Sequence, residues 1–245
     1  MAIKKRNLVL CAACLVMFPS TYLQCQAKDR IAVTFRALQL GTHSTQELHF
    51  QNRNGPVENL QLNRIRKSAA YAYAGEHPIE FFRPEFDVTT QTIKKIPLVR
   101  VHIPDGCASP LIFFEKLSVE TQRIQSYNTY IIDDSLEHFP NQSLIVLNTT
   151  ARDIHGKLGD TQLALNNGPS TPIDVSKHVG ASTRLQLAIA TDDGPRMVFT
   201  NSFAFRANER YIIVITPPKR PGSIQAGVYT IRERVRDTPH AISLR

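Results

Sequence analysis

The sequence predicts an all-β protein built as two β-sandwiches in tandem. Three observations carry that reading. Helical periodicity is scarce, and the apolar residues alternate or occur in short bounded runs, as strands do. Turn signals interrupt these runs at close intervals, and the fifteen prolines fall mostly in the interruptions, where a missing backbone N–H costs little. Many short strands with frequent turns argue for sandwiches rather than alternating α/β units. Finally, the order of segments in residues 31–134 recurs, weakly, in residues 143–236.

The recurrence has three parts. Residues 31–38 (IAVTFRAL) open the first half and residues 143–150 (SLIVLNTT) open the second. Residues 99–103, a short turn and residues 111–114 (LIFF) correspond to residues 202–206, a short turn and residues 211–215 (YIIVI). A closing strand follows in each, residues 127–133 and 228–234. No long identical stretch links the halves, and any two sandwiches share a strand-turn-strand rhythm. The expectation is a duplication: two domains of about 100 residues, each long enough to bury a core.

In chain order, the first residues read as a secretory signal. Lys4, Lys5 and Arg6 make a basic start, and residues 8–18 form an apolar run far short of the roughly 20 residues that span a bilayer. Pro19 and Ser20 break it, and Cys25-Gln26-Ala27 offers small residues for cleavage after Ala27. The alternatives are an uncleaved anchor or a lipidated cysteine. The mature chain is expected to be exported, periplasmic or extracellular, with no transmembrane segment. The expected layout is a signal peptide over residues 1–27, domains over 28–138 and 139–237, and a frayed tail over 238–245.

Within the first domain, Asn52-Arg53-Asn54-Gly55-Pro56 is a turn. Gly75-Glu76-His77-Pro78 reads as the tip of a hairpin between residues 69–74 and 79–82. The runs 111–114 and 211–215 are continuously apolar and predict strands covered on both faces. The linker over residues 134–142 is short. Leu136 and Phe139 are expected to pack there and fix the angle between domains. In the second domain residues 173–179 suggest a short helical turn. Asp192-Asp193-Gly194-Pro195 reads as a hairpin tip, and residues 216–222 (TPPKRPG) must be a loop.

The composition narrows the function classes. The formal charge of +8 falls to about +5 without Lys4, Lys5 and Arg6, which suits solubility rather than dedicated nucleic-acid binding. Three of the four cysteines lie in the signal region, so Cys107 alone would remain and no internal disulfide is expected. Nothing near Cys107 lowers its pKa in an obvious way, so it reads as a bystander rather than a nucleophile. The eight histidines are scattered without metal-ligand spacing. Asp133-Asp134 and Asp192-Asp193 read as turn residues rather than calcium ligands. No nucleophile elbow or phosphate loop occurs, and the absence of tryptophan weakens a sugar-binding reading. The sequence therefore implies no catalytic, cofactor or metal residues. A carboxylate pair that meets only in space stays open.

One surface stands out. Over residues 228–236 the strand alternates. Tyr229, Ile231, Glu233 and Val235 share one face, and Thr230, Arg232, Arg234 and Arg236 share the other. With Lys219 and Arg220 these arginines form a candidate positive surface for an anionic partner: lipid headgroups, acidic polysaccharide or another protein. The alternative is a solvated outer face that discourages edge pairing.

Residues 130–140 (YIIDDSLEHFP) and the following strand 144–150 (LIVLNTT) carry a resemblance. A closing strand ending in Asp133-Asp134-Ser135, then Phe139-Pro140, then a strand ending Asn148-Thr149-Thr150 resembles a signature of uncharacterised exported tandem β-sandwich proteins of Verrucomicrobia and related bacteria. The motif spans about 20 residues, with the flanking strand order in accord. It implies a fold and an exported location, and no activity. Periplasmic pilus chaperones are comparable in size, charge, export and their two immunoglobulin-like domains. Their signature, an Arg-containing strand ending in an Asn-x-Arg-Glu-Ile-Pro-Pro run, is missing here, and residues 109–114 (SPLIFF) match it only in hydrophobicity. The expected protein is thus two tandem immunoglobulin-like sandwiches forming a non-catalytic binding or structural module of the cell envelope. Its partner would be another exported protein or an anionic surface. The alternatives are an assembly chaperone of immunoglobulin-like type and a hydrolase with an unrecognised carboxylate pair.

Overall fold

The computed structural model describes residues 29–41, 47–117, 126–220 and 222–235. The expected signal peptide, the tail and Arg236 lie outside these residues. The first half holds β1 (Arg30–Leu40), β2 (Leu48–Gln51), β3 (Val57–Leu60), β4 (Tyr71–Glu76), β5 (Ile79–Asp87), β6 (Thr92–Val101), β7 (Pro110–Lys116) and β8 (Tyr127–Asp133). The second holds β9 (Ser143–Asn148), β10 (Ile154–Leu158), β11 (Thr161–Leu165), β12 (Gly168–Pro169), β13 (Ile173–Asp174), β14 (Ser182–Thr191), β15 (Gly194–Ala204), β16 (Glu209–Thr216) and β17 (Gly227–Arg234). A short 3-10 turn, Ser176–His178, lies between β13 and β14. The protein is all-β, and no helix among the described residues is long and apolar enough to cross a membrane.

The strands form four sheets, consistent with β-sandwich packing. Their orders are β4-β1-β7-β8, β3-β2-β5-β6, β12-β9-β16-β17 (with β13 also on β9) and β11-β10-β14-β15. The two halves follow the same order, with β1 standing for β9, β7 for β16 and β8 for β17. In both, the opening strand pairs parallel with the next-to-last, β1 with β7 and β9 with β16. The register matches too. Phe113 pairs with Leu38 and Tyr130, and Val214 pairs with Leu147 and Tyr229.

Three apolar clusters explain the runs in the sequence. One lies between the two sheets of the first half and takes Phe35, Phe50, Phe81, Ile112 and Phe114. A second fills the other half with Leu144, Val146, Leu187, Ile213 and Ile215. The third joins the halves: Leu38, Leu111, Phe113, Ile132, Phe139, Ile145, Leu147, Ile212, Val214 and Ile231. Side chains alternate across a strand, so β7 sends Ile112 and Phe114 into its own half and Leu111 and Phe113 into the junction. The sheets β4-β1-β7-β8 and β12-β9-β16-β17 therefore face one another, and both their faces are covered. A strand in that position must be apolar at every position, which is why residues 111–114 and 211–215 lack alternation.

Two local expectations need correction. The segment at Gly75–Pro78 is not a hairpin tip. β4 pairs with β1, whereas β5 pairs with β2 and β6 in the other sheet. The chain crosses between layers here. The crossing is held by a hydrogen bond from the His77 N–H to the Asp29 carbonyl (2.8 Å) and from the Ile103 N–H to His77 Nε2 (3.0 Å). In the linker, Phe139 is buried as expected but Leu136 is 54 % exposed. The Phe139 N–H reaches back to the Ser135 carbonyl at 2.8 Å, making one tight turn that aims Phe139 inward and leaves Leu136 outside. The hairpin at Asp192-Asp193-Gly194 is as read: Thr191 pairs with Gly194, and Gly194 takes φ of +103°, a conformation that suits glycine.

Candidate functional site

β17 closes its sheet as an edge strand. Its alternation follows the pattern in the sequence: Thr230, Arg232 and Arg234 are exposed, while Ile231 is buried and Tyr229 and Glu233 are partly covered. The four candidate basic residues that are described, Lys219, Arg220, Arg232 and Arg234, are not one patch. Arg232 and Arg234 lie toward the end of the strand. Lys219 lies beside Gly227 at its start, with Cε 3.9 Å from where a Cβ would stand. Arg232 lies five residue steps along the strand from Gly227, about 16 Å at the usual rise. Lys219 and Arg220 are exposed in the loop before β17. Arg232 Nε stands 3.7 Å from the Glu209 carboxylate, which also accepts from the Tyr211 hydroxyl at 2.7 Å. Arg234 has no ion-pair partner among the described residues.

The inner face of the same strand carries a charged cluster that composition and motif reading do not disclose. Glu233 points toward the first half and meets Lys67 and Arg210. Lys67, from the segment between β3 and β4, also holds Asp134 through both carboxylate oxygens, at 2.7 and 2.8 Å. Arg210, the second residue of β16, reaches Asp134 Oδ1 at 3.0 Å and Glu233 Oε2 at 2.7 Å through Nη2. Its Nε donates to Glu233 (2.8 Å), and Nη1 donates to the Asp134 and Phe139 carbonyls, both at 2.9 Å. Nε and Nη1 are thus spent on hydrogen bonds, and Nη2 faces both carboxylates. The Phe139 ring lies against it, 4.7 Å from centroid to Cζ. Lys67, Asp134 and Arg210 side chains are each under 10 % exposed. Two cations and two carboxylates from the first half, the linker and the second half therefore close one end of the junction, with the part-exposed Arg36 3.9 Å from Glu233 at its margin.

Burial pushes Glu233 up, but hydrogen bonds and charge from Lys67 and Arg210 outweigh it and hold the carboxyl below the ordinary range. Burial pushes Asp134 above the ordinary range, against the opposing pull of Lys67 and Arg210. The signs differ. Glu233 contributes stability that is present above its unfolded pKa, about 4.3, and is lost as pH falls through the lower folded value. Asp134 takes up its proton more readily when folded and returns part of that loss. The expected result is a denaturation midpoint that falls below about pH 4.3, with a flatter acid limb in Glu233→Gln. Midpoints from urea titrations at pH 3 to 7 check it.

The motif residues over 133–150 have structural duties. The Asp133 carboxylate accepts from the N–H groups of Ala108, Ser109 and Ser135 at 3.0–3.3 Å. These bonds outweigh the effect of burial and hold its pKa down. Asn148, fully buried, donates to the carbonyls of Arg152, Leu165 and Asn166 and accepts from Thr150. Cys107 is half-buried, and burial together with the Asp133 carboxylate pushes its thiol up to about 11, so it is protonated at neutral pH. Among the described residues no group of three or more His, Cys, Asp or Glu is placed to hold a metal ion. Asp134 and Glu233 meet through the two cations between them.

No family model and no curated protein matches the chain.

Proposed function

We propose that the protein is an exported, non-catalytic module of the cell envelope. In this reading two immunoglobulin-like sandwiches, descended from a tandem duplication, form one scaffold that offers an edge strand to a partner. The observation that carries it is the two-sided character of β17. Its inner face is tied to the other half through Glu233 and Ile231. Its outer face shows Arg232 and Arg234, and its backbone edge pairs with no strand among the described residues. Charges on an edge discourage indiscriminate strand pairing, yet the same charges select a partner that brings complementary ones. An extended segment with acidic residues at alternate positions, added by main-chain hydrogen bonds, fits that edge. The matching strand order of the halves supports the duplication. The basic start and short apolar run over residues 4–18, with the motif over 130–140, support export.

The test is affinity capture with the full chain from native envelopes. Capture of an exported protein that is reduced at least fivefold by Arg232→Gln with Arg234→Gln, and by raising salt, is expected. Capture that ignores both substitutions would contradict the edge. The assembly-chaperone reading rests on the same free edge, and stoichiometric co-purification with one exported subunit would select it.

A further inference from the structure

The junction between the two central sheets has two ends. Lys67, Asp134, Arg210 and Glu233 close one. At the other, where β1, β7 and β16 end and β17 begins, the sheets part around a cleft of about 850 Å3. That volume lies in the roughly 300–1,000 Å3 range of small-molecule sites. Its walls come from both halves. Leu40, Leu62, Ile65, Pro217 and Val228 supply apolar surface, and Arg64 and Lys219 stand among the lining residues. Ile65 is 69 % exposed, a large apolar side chain left uncovered beside the opening.

Two features point to a ligand rather than to loose packing. Tyr229 lines this cleft, and its hydroxyl is shielded from solvent and meets no hydrogen-bond partner among the described residues. A buried hydroxyl without a partner is unfavourable, so a group that accepts from it gains what the protein alone does not. Arg64 and Lys219 have no ion-pair partner among the described residues. Burial raises the Tyr229 pKa, the Glu115 carboxylate raises it further and Arg64 opposes both. Arg64 therefore lies within electrostatic reach of the hydroxyl. Glu115, also in the lining, already accepts from the Tyr130 hydroxyl at 3.3 Å.

We propose that this cleft binds an amphipathic anion, an aliphatic monocarboxylate whose carboxylate accepts from the Tyr229 hydroxyl and Arg64 while its chain lies along Leu40, Leu62 and Val228. Lys219 adds charge at the opening. The basic side chains favour an anionic head over a cationic one, and the apolar wall favours a tail over a small inorganic ion. Val228 and Tyr229 belong to β17, but binding here does not require the proposed partner.

Calorimetric titration of the full chain with dodecanoate, dodecanol and dodecylammonium, all below their aggregation limits, tests the proposal. One dodecanoate should bind per chain, at least tenfold more tightly than dodecanol, with dodecylammonium weakest. Tyr229→Phe should weaken dodecanoate roughly fivefold, Arg64→Gln by a similar factor, and Val228→Arg should block the cleft. The wild-type ligand series decides the matter even where a variant folds poorly. Equal binding of dodecanol, tighter binding of dodecylammonium, no binding of dodecanoate, or full binding to a folded Val228→Arg chain would each overturn it.

Discussion

Arg210→Met is expected to lower the free energy of unfolding by about 3–5 kcal/mol, the cost of breaking a buried ion pair from one side. The substitution keeps much of the stem's packing, so the loss is electrostatic. Asp134 keeps Lys67, but Lys67 must then serve both carboxylates, helped only by the part-exposed Arg36, 3.9 Å from Glu233. The Asp134 and Phe139 carbonyls lose their donor. Replacing all four charged residues together with apolar side chains of similar volume should cost far less, because no uncompensated charge remains buried. Urea denaturation of both variants separates the cost of leaving a charge unpaired from the net worth of the cluster.

Phe113→Ala is the second large effect, again about 3–5 kcal/mol. Phe113 is fully buried and lies not inside either half but between them, among Leu38, Ile132, Ile212 and Val214. Removing its ring leaves a cavity against two sheets whose backbones are held on both faces, so little collapse can relieve it. Phe86→Ala is the matched control. Phe86 is 57 % exposed at the outer end of the β5–β6 hairpin, and its loss should change stability by no more than about 0.5 kcal/mol. A thermal scan shows the difference directly.

The sequence discloses much of this fold for a physical reason. Alternation reports how many faces of a strand are covered, and the unbroken apolar runs at 111–114 and 211–215 announce two. Glu233 also gives a signal, since it shares a face with Tyr229 and Ile231, where a charge needs a partner. That partner is not readable. Lys67 lies between β3 and β4, Asp134 after β8 and Arg210 at the start of β16, and only the stacking of the two central sheets brings them together. The crossing at His77 looks like a hairpin in the sequence because turn residues mark a reversal without saying which sheet receives the next strand. Arg232 and Lys219 were joined in one patch because nearness in sequence says nothing about the length of strand between them. The cleft by Tyr229 needs both halves in place before it exists at all.

The central claim is that the face-to-face packing of the central sheets makes the two halves one cooperative unit. Differential scanning calorimetry of the chain from residue 28 to 237 tests it most directly. A single transition whose calorimetric and van't Hoff enthalpies agree is expected. Two separate transitions, or a calorimetric enthalpy about twice the van't Hoff value, would contradict it.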